Sequence, residues 1–116
     1  VIDIMPTCLL LDGAKPLTKI KGNKTYPMNG KSLAPIFKNQ TRTPHSVLCW
    51  DHAQGAAIRK DGWKLVRAGR KKGKWELYRI NEDRVELKDL AAIYPDKVEA
   101  LAAEWTDWRA RTRGMK

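Results

Sequence analysis

The residues able to do chemistry here are few, and most stand alone. The chain holds two histidines, His45 and His52, and two cysteines, Cys8 and Cys49. A nucleophilic hydroxyl or thiol needs a base within reach and a third group to orient that base. Neither Ser32 nor Ser46 carries the glycine pair of a nucleophile elbow. The cysteines lie far apart without metal-ligand spacing and read as small buried hydrophobes, with a disulfide as the alternative. His45, after Pro44, reads as a surface residue. The pair Asp51-His52, at the end of an apolar run, carries more. Strand ends open into clefts, and a carboxylate beside an imidazole can orient it or raise its pKa. On residues alone, a solvated loop pair explains it equally well. No Gly-rich phosphate loop, zinc spacing or calcium loop is present. Asn23-Lys24-Thr25 and Asn39-Gln40-Thr41 match the short glycosylation sequon.

The element that positions Asp51-His52 runs from Ser46 to Ile80. Short stretches rich in Val, Ile, Leu, Trp and Tyr alternate with Gln54-Gly55, Asp61-Gly62 and Gly69–Gly73, the pattern of an antiparallel meander. A two-residue type I′ turn needs positive φ at both central residues, which Asp tolerates and Gly accepts. Asp61-Gly62 is therefore expected to join Ala57–Lys60 to Trp63–Arg67. Trp63 and Leu65 fall on one face opposite Lys64, and Trp75 and Leu77 share a face opposite Glu76 and Tyr78. An apolar face needs a cover. The cover is the C-terminal helix from Pro95, with Val98, Leu101, Ala102, Trp105 and Trp108 in one stripe. Pro95 suits the first helical position and Asp96 the positive helix end. The tryptophans recur at strand and helix spacing, so they read as core rather than as a base-stacking platform.

Elsewhere the pattern is weaker. Asp3 is expected to cap a helix over Ile4–Asp12, with Pro6 in its first turn, Gly13 ending it, and Ile4, Cys8 and Leu11 on one face. Residues 14–46 show little periodicity and read as an irregular arm, with one helical turn beginning near Lys31 in Asn29–Phe37. A second short helix is expected over Val85–Ala91. So long an irregular arm is unusual in a small free-standing domain.

At 116 residues with 42% hydrophobic content, the chain is one domain or a piece of a larger one. No run approaches a membrane span. The start at Val1 lacks a signal-peptide pattern and reads as the continuation of a longer polypeptide. The net charge of +10 invites a polyanion. However, Lys and Arg are spread from Lys15 to Lys116, and the densest cluster, Arg70-Lys71-Lys72, reads as a solvated turn.

Five stretches, in this order, resemble the C-terminal end of a type I sulfatase of the arylsulfatase family: Asp3–Thr7 (DIMPT), Asn29–Phe37 (NGKSLAPIF), Cys49–Val66, Lys74–Val98 and the terminal EWTDWRAR helix. In that family the nucleophile is a formylglycine made within C/S-x-P/A-x-R, a motif absent here around both Cys8 and Cys49. The resemblance implies a hydrolase of sulfuric esters whose calcium ion and formylglycine lie in a missing N-terminal catalytic domain. No catalytic or metal residue, and no cofactor, is then expected in this chain. The family's sheet often reads WEH-E-G-N-R-A-I/V-R, its His reaching the rim of the substrate pocket. Trp50, Asp51, His52, Ala57, Ile58 and Arg59 match or nearly match; Ala53, Gln54, Gly55 and Ala56 depart. The resemblance thus implies substrate-binding roles for His52, Asp51 and Arg59, with Asp51 holding His52 and Arg59 and Lys64 either touching the sulfated substrate or solvating the outer face.

The expected architecture is α+β: a small four-stranded antiparallel sheet covered by a C-terminal helix, with an N-terminal helix and a long irregular arm, as a piece of an alkaline-phosphatase-like sulfatase fold. Residues 1–45 would belong to or lie on the catalytic domain, and 46–116 would form the sheet-plus-helix subdomain. The partners expected are that domain and a sulfated small molecule or carbohydrate, with neither membrane nor nucleic acid, in the periplasm or outside the cell. The rival readings are a free-standing basic module for a polyanion and the tail of a related phosphodiesterase or phosphonate hydrolase. A binding module would gather its cations and exposed aromatics on one face.

Overall fold

In the computed structural model, residues 1–53, 55–69 and 73–113 are described. Gln54 and the Arg70-Lys71-Lys72 cluster, expected to be a solvated turn, lie outside them. The chain divides into two compact units, Val1–His45 and Ser46–Lys116.

The second unit is an antiparallel meander, β3 (Val47–His52), β4 (Gly55–Lys60), β5 (Trp63–Arg67) and β6 (Glu76–Arg79), in the order β3-β4-β5-β6. Asp61 at φ 49° and Gly62 at φ 78° form the positive-φ pair expected between β4 and β5. A Cβ on Gly62 would stand 2.6 Å from Asn81 Nδ2, the mobile end of a side chain that can swing aside, so the backbone conformation is what asks for glycine there.

Alternation sorts the sheet into two faces. Cross-strand partners share a face, so the row Cys49–Ile58–Leu65–Leu77 lies on one side. Ile58, Leu65 and Leu77 are fully buried there against Leu101 and Trp105 of α3 (Pro95–Arg113). Val98, Ala102 and Trp108 pack on the same cluster, as the stripe predicts. Arg67 lies over the Trp75 ring at 4.7 Å and Trp105 meets Trp75 edge-on at 5.7 Å, so a cation and two indoles close one end of the core. Lys60 bridges to Glu104 at 2.9 Å, tying β4 to the helix, and that carboxylate raises the lysine's pKa.

Val85–Ala91 is not a helix. Three of its backbone N–H groups go to side chains instead: Asp83 accepts from Leu87 and Lys88, and Asp89 accepts from Ala91. Asp side chains compete with helical bonding in this way. The segment serves the sheet, because Asp89 and the Leu90 amide both bond Leu77 in β6, whose outer edge would otherwise be bare.

In the first unit, α1 (Ile4–Leu11) forms where expected and Gly13 follows at φ 69°. The expected Asp3 cap and a buried Cys8 are not found. Asp3 stands at the N-cap but its side chain makes no cap bond. Ile4, Cys8 and Leu11 are exposed, and the buried residue of the helix is Thr7. Cys8 is therefore no buried hydrophobe; Cys49 is half-buried, and both are free thiols. The arm is less irregular than its sequence suggests. Lys19–Ile20 (β1) and Asn23–Lys24 (β2) pair as a hairpin through Lys21 and Gly22, both at positive φ, and Ala34–Phe37 (α2) makes one turn. Lysine is an unusual residue for such a turn, so the signal was easily passed over.

Asp3 and Thr7 organise the unit. The Asp3 carboxylate accepts from the Lys31 amide at 2.8 Å, from Arg42 at 2.7 Å, and pairs with His45 Nε2 at 2.7 Å. Thr7 Oγ1 accepts the Leu33 N–H and donates to the Asp3 carbonyl. His45 is thus not a free surface residue, since its side chain is only 10% exposed. Gly30 approaches the chain just before α1 so closely that a Cβ would stand 1.9 Å from the Ile2 carbonyl oxygen. The Arg42 guanidinium foremost, then the Lys31 amide, hold the Asp3 carboxyl well below the usual range.

Candidate functional site

His52 closes β3, the free edge strand of the meander, opposite Gly55. Two α3 side chains secure that end. The Trp105 indole N–H donates to the Trp50 carbonyl at 2.9 Å, and Arg109 Nε donates to the Asp51 carboxylate at 2.8 Å. Arg113 reaches the same oxygen at 3.4 Å. Strand alternation turns Asp51 toward the helix and its neighbour His52 to the opposite face. Asp51 is therefore engaged by arginines rather than by His52, and the two expected partners are kept apart by the pleat. His52 is exposed.

Arg59 shares the face of His52. Its row runs Leu48–Arg59–Lys64–Tyr78, beside the row Trp50–Ala57–Val66–Glu76. Between them lies a concavity of about 460 Å³ bordered by Trp50, Arg59, Lys64, Ile80, Arg84 and Glu86. Lys64 pairs with Glu86, which anchors the segment after β6 over the sheet. Tyr78 is buried on this face and donates to Glu76 at 2.8 Å; burial foremost, then that bond, push its hydroxyl up to about 12. The structure thus brings His52 and Arg59 to one face and leaves Asp51 on the other.

Sequence reasoning missed Arg84 and the grip of Arg109 on β3. Arg84 immediately precedes the segment Val85–Ala91 expected to be helical, and Arg109 lies just beyond the apolar stripe of the C-terminal helix, so neither carries a local signal. The described residues gather no group of three or more His, Cys, Asp or Glu able to hold a metal ion, and no helix among them is long and apolar enough to cross a membrane.

No family model matches the chain. It is 30% identical over 117 residues to an uncharacterized sulfatase of Schizosaccharomyces pombe, covering 97% of this chain but 21% of that protein. Among solved structures it resembles BT4656, determined in complex with its substrate D-glucosamine-2-N,6-O-disulfate, with a TM-score of 0.65 and 20% identity over 97% of this chain and 24% of that one. It also resembles the phosphonate monoester hydrolase of Agrobacterium radiobacter, with a TM-score of 0.60 and 22% identity over 94% of this chain and 24% of that one. The chain thus spans about a fifth to a quarter of the proteins it matches. In sequence it is similar to part of a sulfatase, and its α+β sheet-and-helix fold recurs within the larger solved proteins it resembles.

Proposed function

We propose that this chain is the substrate-shaping C-terminal part of a sulfatase that hydrolyses carbohydrate or aryl sulfate esters. The observation that carries the reading is the sulfatase match along 97% of the chain. Sulfate ester hydrolysis needs an activated nucleophile and a cation to neutralise the sulfate oxygens. In this proposal a formylglycine and a calcium ion supply both from a catalytic domain outside these residues. His52 is the pocket residue, offering an imidazole to the sugar or the sulfate. Arg59, on the same face, contributes a guanidinium that matches two sulfate oxygens at once. Asp51 serves the pocket indirectly by holding the end of β3 through Arg109. Residues 1–45 pack on the catalytic domain, and the enzyme works in the periplasm or outside the cell.

The test is to express the full-length gene product containing this chain and assay it on an aryl sulfate, on D-glucosamine-2-N,6-O-disulfate and on a phosphonate monoester. Sulfate release, reduced at least tenfold in kcat/KM by His52→Ala and absent from the isolated chain, is the expected result. Turnover of the phosphonate alone would favour the second reading, which rests on the fold shared with the phosphonate hydrolase. An unchanged kcat/KM in the His52 variant would remove that residue from the pocket.

A further inference from the structure

The concavity on the sheet face away from α3 has the composition of a ligand site in its own right. Its volume of about 460 Å³ falls within the range of small-molecule sites, about 300–1,000 Å³. Ala57 and Val66 line its apolar part, and Ala57 is buried. Of the five tryptophans, Trp50 alone is exposed, at 47%, and it borders this groove. The charges are unevenly matched. Lys64 and Glu86 neutralise each other, whereas among the described residues neither Arg59 nor Arg84 has an acidic partner. An exposed indole gives a sugar ring an apolar platform with a polar edge. Two unpaired guanidiniums beside it give a sulfate planar, two-pronged donors.

We propose that this groove is a second subsite for a sulfated saccharide: a sugar ring rests on Trp50, and a sulfate that is not hydrolysed is held between Arg59 and Arg84. The inference rests on the sulfatase reading and deepens it, because it requires a substrate with an anionic group besides the scissile one. His52 lies two residues further along β3 on the same face, about 7 Å from Trp50 along the strand. A ligand reaching both would spend binding energy remote from the reacting ester, which is how enzymes turn recognition into rate. The competing occupant is another part of a longer polypeptide covering the face. The two arginines without an acidic partner argue for the anion by charge complementarity, since burying them under another part of the polypeptide would cost their desolvation unless that part brought carboxylates of its own.

The experiment is an NMR titration of the 116-residue chain with D-glucosamine-2-N,6-O-disulfate and, as control, unsulfated glucosamine. The expected result is saturable shifts at Trp50, Arg59 and Arg84 with the sulfated sugar only, weakened at least fivefold by Arg59→Gln or Arg84→Gln. Thermal unfolding monitors the fold of each variant, and Arg59→Lys and Arg84→Lys restore charge without the two-pronged geometry. Shifts spread evenly over surface lysines, or no shift, would overturn the subsite. So would a Trp50 indole shielded from acrylamide quenching in the full-length protein, because the face would then be a domain contact. The parallel kinetic assay separates this idea from the sulfatase reading. Arg59→Gln and Arg84→Gln should raise KM more than they lower kcat. Sulfate release that is sensitive to His52 but indifferent to both arginines removes the subsite, and Arg59 from the pocket, while the sulfatase reading stands. Groove binding by a full-length protein that hydrolyses no sulfate ester removes the sulfatase reading alone.

Discussion

Replacing Trp105 tests how the helix holds the sheet. Its side chain is 3% exposed, meets Trp75 edge-on, lies between Arg67 and Arg109, and donates to the Trp50 carbonyl. Truncating a buried tryptophan to alanine costs about 3–5 kcal/mol through lost transfer energy and the cavity left behind. Trp105→Phe keeps most of the ring but abandons the hydrogen bond, worth about 0.5–1.5 kcal/mol, so its expected cost is about 1–2 kcal/mol. Leu87→Ala, at a residue 84% exposed, should stay within about 0.5 kcal/mol of the parent. Domains carry only about 5–15 kcal/mol of stability, so Trp105→Ala should remove much of the urea resistance of the sheet-and-helix unit. Urea unfolding followed by far-ultraviolet circular dichroism reads all three. A cost below about 1 kcal/mol for Trp105→Ala would refute the packing argument, since no buried tryptophan could then be closing this core.

Three further outcomes follow from the same geometry. Arg109→Ala should cost about 1 kcal/mol, less at high salt, because its bond to Asp51 is only partly buried; a double-mutant cycle with Asp51→Ala measures the pair. Asp3 has a lowered folded pKa, so its stabilising effect is present above the ordinary carboxyl value of about 3.9 and is lost as pH falls toward the folded one. The protection factors of the Lys31 and Leu33 amides, which correct for the intrinsic slowing of exchange in acid, should therefore fall as the pH drops below the ordinary carboxyl value, and Asp3→Asn should lower them at neutral pH too. Burial pushes the Cys49 thiol up to about 11, leaving roughly a hundredfold less thiolate than an ordinary cysteine; iodoacetamide should label exposed Cys8 first, and labelling of Cys49 at a matching rate would contradict its burial.

The sheet and its helix were legible because their signals are local. Asp61-Gly62 meets the backbone demand of a two-residue turn, the runs on either side alternate with the pleat, and Leu101 and Trp105 recur at helical spacing behind a proline that can begin a helix but not continue one. Such preferences act within a few residues and survive without knowledge of the fold. The resemblance to sulfatases rode on those same stretches. Tertiary structure decided where the polar side chains spend their bonds. Asp3 looks like a cap, yet its carboxylate is drawn to Lys31, Arg42 and His45, up to 42 residues away. Asp51 looks like a partner for His52, yet the pleat turns it toward Arg109, 58 residues on. Val85–Ala91 has helical residues, yet Asp83 and Asp89 capture its amides and join it to β6. A carboxylate binds whichever donors the fold brings within about 3 Å, and donors distant in sequence leave no periodic trace. For the same reason Arg59 and Arg84 cannot be told from other surface cations until the sheet sets them around one groove with Trp50.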